Sequence, residues 1–283
     1  MPSSIESSGP ALLALTFAIV GVVLAVGAWR VGAQRRTLFI REFGLVIGAY
    51  LVYFGVRAFT EGSQSVALDH AHVLVDFERR VGLFVEPAIQ TAVIGEMLII
   101  DAANFVYVWF HWPVIGAVAI WLFMRRPQAY VTYRSALLIS GAIGLALFIM
   151  FPAAPPRLAG LGLVDTVLEH STFGGLLQPT ELTNQYAAFP SLHFGWNLLM
   201  GIALVSQSRY YLLRVIGVLL PLAMFVAIVV TANHYVIDAV AGGVVAVIGL
   251  LVARRIHAGG RWTHFGTPSD SSGLSMQGTN GSG

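Results

Sequence analysis

Residues 189–238 read FPSLHFGWNLLMGIALVSQSRYYLLRVIGVLLPLAMFVAIVVTANHYVID. Two apolar runs, 192–208 and 211–232, lie between two polar clusters, and a third run, 235–253, follows. Apolar runs of about 17–25 residues are the length that crosses the hydrocarbon of a bilayer. The first cluster is Phe189-Pro190-Ser191-Leu192-His193 and the second is Asn233-His234-Tyr235-Val236-Ile237-Asp238. Upstream, Phe151-Pro152-Ala153-Ala154-Pro155-Pro156-Arg157 closes another run, 135–152. An arginine, a serine, two histidines and an aspartate thus stand at the mouths of membrane helices. Ionisable groups there are expensive and mark functional sites.

The rest of the chain fits that setting. It has 283 residues, 57% hydrophobic and 11% charged, against about 25% charged in a soluble domain. The expected fold is an all-α polytopic membrane bundle, with spans at 11–31, 44–60, 104–124, 135–152, 192–208, 211–232 and 235–253. The first is read as a retained span, because Met1–Pro10 has no basic residue ahead of it. Residues 66–90 mix apolar and charged side chains and are expected to form an amphipathic helix on the outer leaflet. Residues 1–10 make a short outer N-terminus, 11–256 the catalytic membrane domain, and 257–283 a Gly/Ser-rich disordered tail.

Orientation follows from arginine, since all 16 basic residues are arginine. Arg30, Arg35, Arg36 and Arg41 lie between the first two spans, Arg125, Arg126 and Arg134 between the third and fourth, and Arg209 and Arg214 between the fifth and sixth. Arg254, Arg255 and Arg261 follow the last. With these on the cytoplasmic side, the N-terminus is outside, the C-terminus inside, and all three polar clusters on the outer face. The expected location is a bacterial cell membrane. The chain has no cysteine, which excludes disulfides and thiolate metal sites. A net charge of +2 gives no case for nucleic acid. The expected partners are a lipid phosphate substrate and membrane lipids; nothing in the sequence encodes an oligomeric state.

Each cluster has a chemical reading. Pro152, Pro155 and Pro156 stop the preceding helix and stiffen the backbone that presents Arg157. Arginine grips phosphate oxygens with paired donors, as lysine cannot. Ser191 is a favoured helix N-cap, and the amides of a helix start attract anions. His193, in the first turn, is suited to protonating a leaving oxygen. His234 and Asp238 are four residues apart, on one helical face. The carboxylate can take a proton from one ring nitrogen and leave the other as nucleophile.

The stretches 184–196 (NQYAAFPSLHFGW) and 231–243 (TANHYVIDAVAGG), with the Pro-Pro-Arg of the first cluster, resemble the signature motifs of the type 2 phosphatidic acid phosphatase superfamily. The Pro-Ser-Leu-His variant resembles its inositol phosphorylceramide synthase branch. The resemblance covers about 150–245, more weakly 78–90 and 104–113. It implies that His234 forms a phosphohistidine oriented by Asp238, that His193 is the acid and then the base, and that Arg157 and Ser191 bind the phosphate. It implies no metal and no cofactor. The chain departs from the phosphatase pattern at Met150, where a lysine is expected, and at Ala227-Ile228, where a serine-arginine pair is expected. Arg57, Arg79 and Arg80 are candidate replacements for the missing cations. Sparse positive charge suits a phosphodiester, and so favours head-group transfer over monoester hydrolysis.

Glu96, Asp101, Asn104, His111 and Pro113 are read as structural, Pro113 as a helix kink. His70, His72, Glu78 and Glu86 are placed at an entrance for lipid; His70 and His72, two apart, do not share a helical face for metal. Three functions remain: a lipid phosphotransferase, a lipid phosphate or diphosphate phosphatase with the same residues, and a transporter or scaffold. A transport path needs polar groups near mid-membrane, and here they gather at one interface.

Overall fold

The computed structural model describes residues 33–59, 62–170 and 184–258. The expected first span and most of the tail lie outside the described residues, as does the side chain of Arg57. The described residues form helices α1 (Ala33–Phe59), α2 (Gln64–Val81) and α3 (Glu86–Val93). Then come α4 (Met97–Arg125), α5 (Pro127–Met150), the short α6 (Thr166–His170), α7 (Leu192–Gln207), α8 (Tyr211–Val230) and α9 (Val236–Ala258). Their only extended pairing is an isolated parallel bridge between Ala153 and Ala187.

Four of these helices, α4, α5, α8 and α9, are long and apolar enough to cross a membrane. α8 turns Leu212, Val218, Leu219, Leu222 and Val226 outward, an apolar exterior that lipid favours and water does not. The protein is an all-α integral membrane bundle. The expected second span, 44–60, overlaps α1 over 44–59, and α1 starts earlier and is tied to α5 by the Arg134–Glu42 ion pair. α7 has 16 residues and runs through the middle of the bundle, burying Leu199, Met200, Ala203 and Leu204.

Small residues set how closely the central helices approach. A Cβ on Gly195 would stand 2.5 Å from the Gly242 carbonyl oxygen, and one on Gly242 would stand 2.0 Å from that of Ser191. Only glycine lets α7 and α9 cross this tightly, as in membrane bundles generally. At the far end of the bundle Arg126 Nε donates to Gln207 O (3.2 Å), so the turns bearing Arg125, Arg126 and Arg209 meet.

Two expectations need correction. Residues 66–90 are not one surface helix. Gly82, at φ 75°, ends α2 in the left-handed region that glycine tolerates, and α3 starts afresh with Pro87 in its first turn. The stripe Ala67, Ala71, Leu74, Val75 and Glu78 is buried against the polar loops. Glu78 and Glu86 do not flank an entrance, since both are fully buried. Pro113, read as a helix kink, lies within α4, which stays helical from Met97 to Arg125. A π turn over Val106–Phe110 ends three residues before it, and Trp109, whose carbonyl a proline at 113 cannot satisfy, lies within that turn.

Candidate active site

The three polar loops are joined by backbone hydrogen bonds. Ala153 N donates to Tyr186 O (2.7 Å) and Ala188 N to Ala153 O (3.2 Å), which ties the first loop to the second. Arg157 N donates to Ala232 O (3.0 Å), tying the first to the third, and Ser191 N to Asp238 O (2.9 Å), tying the second to the third. Beneath them Tyr235 is fully buried among Ala67, Ala71, Ala154 and Ala188, with its hydroxyl donating to Ala154 O at 3.1 Å.

His234 is 5% exposed. Its Nδ1 lies 2.8 Å from the Ala188 carbonyl oxygen and 3.4 Å from Asp238 Oδ2. A carbonyl oxygen only accepts, so Nδ1 carries the proton and the basic lone pair is on Nε2. The ring is therefore held mainly by a backbone carbonyl, with the Asp238 carboxylate beside it. Asp238 Oδ2 also accepts from Tyr235 N (2.9 Å), capping the start of α9. The preceding turn is strained: Ala232 has φ 51°, a left-handed conformation that costs a residue with a Cβ about 1–2 kcal/mol. Its carbonyl is the acceptor for Arg157 N.

The His193 ring centroid is 5.9 Å from that of His234. His193 lies between Tyr107, stacked at 4.5 Å, and His111, at 4.5 Å. His111 is buried, its Nδ1 2.8 Å from Asn197 Nδ2, and that amide also donates to His193 O at 2.8 Å. An amide nitrogen only donates, so His111 Nδ1 is the acceptor and this ring is neutral. The π turn of α4 brings Tyr107 and His111 together around His193.

Ser191 caps α7 by accepting from Phe194 N at 3.4 Å, and it is fully buried. Arg157 Nη1 donates to Asn233 Oδ1 (2.8 Å), and its Nε pairs with Asp165 Oδ2 (2.8 Å). The guanidinium is thereby anchored to the residue next to His234. The structure thus brings Arg157, Ser191 and His234 on adjoining loops together with His193 and Asp238 in the first turns of α7 and α9. Arg79 and Arg80 are not brought there. Both are exposed on α2, and Arg79 packs on the Phe84 ring at 4.9 Å. His70 is structural, with Nδ1 2.7 Å from Pro152 O and its ring stacked on Phe151. Asn104, expected to join helices, exchanges hydrogen bonds with Thr166 (2.9 Å each).

His111, read as joining helices, does so through Asn197; sequence reasoning missed the Ala188 carbonyl, the contacts of Asn233 and Asp165, and the placing of Tyr107 and Asn197 around His193. Asn233 had a signal, being adjacent to His234; a main-chain carbonyl has none.

The profile of the PAP2 superfamily matches residues 72–252, well over half of the chain. Phosphoinositol dihydroceramide synthase of Bacteroides thetaiotaomicron is 24% identical over 167 residues, which is 53% of this chain and 53% of that protein. The chain so spans about half the length of that curated relative. No solved structure matches. The matched region runs from α2 into α9 and takes in all three polar loops; on this ground the chain belongs to the PAP2 superfamily.

Proposed function

We propose that this protein is a lipid phosphotransferase that moves a phospho-head-group of inositol-phosphate type through a phosphohistidine at the outer membrane face. The observation that carries the reading is the fixing of His234 Nδ1–H on Ala188 O with Asp238 alongside, which leaves Nε2 as nucleophile. In the first half-reaction Nε2 attacks phosphorus, the bond to the lipid oxygen breaks, and His193 gives that oxygen a proton. In the second, His193 takes the proton of an acceptor hydroxyl, whose oxygen displaces Nε2 from phosphorus. Arg157 and the Ser191 hydroxyl hold the non-bridging oxygens, and the residues expected to carry the steps need no metal or cofactor.

Two further observations support transfer. The relative at 24% identity is named as a synthase, and Ala227 and Ile228, where a phosphatase would carry a serine-arginine pair, are buried apolar residues. The outer-face assignment rests on the arginine-rich turns, which lie at the opposite end of the bundle from the polar loops.

The test incubates protein in nanodiscs with phosphatidylinositol, phosphatidic acid or polyprenyl diphosphate and candidate alcohol acceptors, with mass spectrometry of the products. A head-group adduct that requires His234 is expected. Free phosphate alone, with the same requirement, would make the protein a phosphatase. Arg157→Lys is expected to lower kcat/KM about a hundredfold, because a point charge cannot keep both anchors and still present paired donors. Near wild-type activity in that variant would remove Arg157 from phosphate binding.

A further inference from the structure

Glu78 and Glu86 lie in different helices, and both are fully buried. They converge on the start of α9: Glu86 Oε1 accepts from Val236 N (2.8 Å) and Glu78 Oε1 from Ile237 N (2.7 Å). With Asp238 on Tyr235 N, three successive amides following His234 each end on a carboxyl oxygen. Gln90 continues the grip on the other side of the turn. Its Nε2 donates to Val230 O (3.1 Å) and Val164 O (2.9 Å), and its Oε1 accepts from Val164 N (2.8 Å). α2 also holds the first polar loop, where Ala154 N donates to Ala67 O (2.9 Å).

These amides are among those a helix cannot satisfy internally. An N-cap serine or threonine would satisfy one without burying a charge. Two glutamates there are expensive unless a proton is shared. Each has one oxygen on an amide, and each has a second buried oxygen, Oε2, without a hydrogen-bond partner. The two carboxyl groups face one another, and Asp238 and the Tyr235 phenol are the other titratable groups facing them. Among the described residues no group of three or more His, Cys, Asp or Glu is arranged to hold a metal ion.

We propose that Glu78 and Glu86 are positioning residues for His234: a carboxyl pair sharing one proton that clamps the first turn of α9 and so fixes the imidazole and Asp238. The inference rests on His234 as nucleophile. Burial pushes the Glu78 carboxyl up to about 9 from its ordinary 4.5, with the neighbouring Glu86 and Asp238 charges adding to the effect. A carboxyl raised in the folded state stabilises the fold fully below its unfolded value, and that contribution fades as pH rises through the folded value.

The experiment uses the full chain in nanodiscs with Glu78→Ala, Glu86→Ala, Glu78→Gln and Glu86→Gln. Hydrogen exchange over 234–238 is read alongside turnover of phosphatidylinositol and melting from about pH 5 to about pH 9. The alanine variants are expected to exchange faster there. They lose about tenfold to a hundredfold in kcat with KM within about threefold. Glutamine keeps the acceptor and supplies a permanent donor, so it restores most of both, and Glu78→Gln flattens the fall in melting temperature with pH. Wild-type exchange in a folded alanine variant overturns the clamp whatever the assay gives. Faster exchange with unchanged kcat overturns the positioning role, as does failure of glutamine to restore the rate. If the wild type yields no His234-dependent product, the transferase reading fails and positioning fails with it, while exchange still reports on the clamp.

Discussion

His234→Ala is expected to abolish phosphate chemistry, with a loss of about four orders of magnitude or more, as when a covalent nucleophile is removed elsewhere. The cost to folding is small by comparison. The imidazole's firm structural bond is to Ala188 O, and a net hydrogen bond contributes about 1 kcal/mol. Rate and stability therefore separate. Trapping makes the test sharper: wild-type enzyme quenched in turnover with a radiolabelled donor carries label that is released by acid and stable to base. His193→Ala is expected to carry label that forms slowly and is lost slowly, because it lacks both the acid of the first half-reaction and the base of the second. His234→Ala carries none. Label that persists in His234→Ala would remove His234 from the role.

Gly242→Ala has the largest expected effect on the fold itself. The added methyl would sit 2.0 Å from Ser191 O and 2.7 Å from its carbonyl carbon, and this is backbone that no rotamer change relieves. α7 and α9 must part where Ser191 N donates to Asp238 O. A destabilisation of about 3 kcal/mol or more is expected, with loss of activity as His193 moves from His234. Gly243→Ala is the control, since its methyl meets the Phe194 ring at 3.2 Å, a side chain that can yield. Thermal melting of both variants decides the matter. Equal melting would mean that the α7–α9 crossing is not set by Gly242.

Much of this molecule was legible because lipid simplifies the code. Long apolar runs are helices, and charge within them is rare enough to stand out, so Arg157, His193, His234 and Asp238 are marked as candidates by the sequence alone. Their neighbourhood was less so. Glu78 and Glu86 lie on stretches of mixed polarity, where acids usually face water, and only the fold carries them against α9. The Ala188 carbonyl on His234 belongs to a residue without functional side chain. The π turn at Val106–Phe110 depends on a missing amide at Pro113 that sequence periodicity records only as a kink.

The distance along the chain between the clamp and what it clamps has a consequence for biogenesis. Glu86 and Glu78 precede their amides by 150 and 159 residues. At roughly 5–20 residues per second of synthesis, they exist for about 8–30 seconds before a partner emerges. Until α9 enters the membrane, the nascent protein carries two acids whose amide partners have not yet arrived. A chain interrupted before α9 therefore holds both carboxyl groups without the backbone donors that satisfy them.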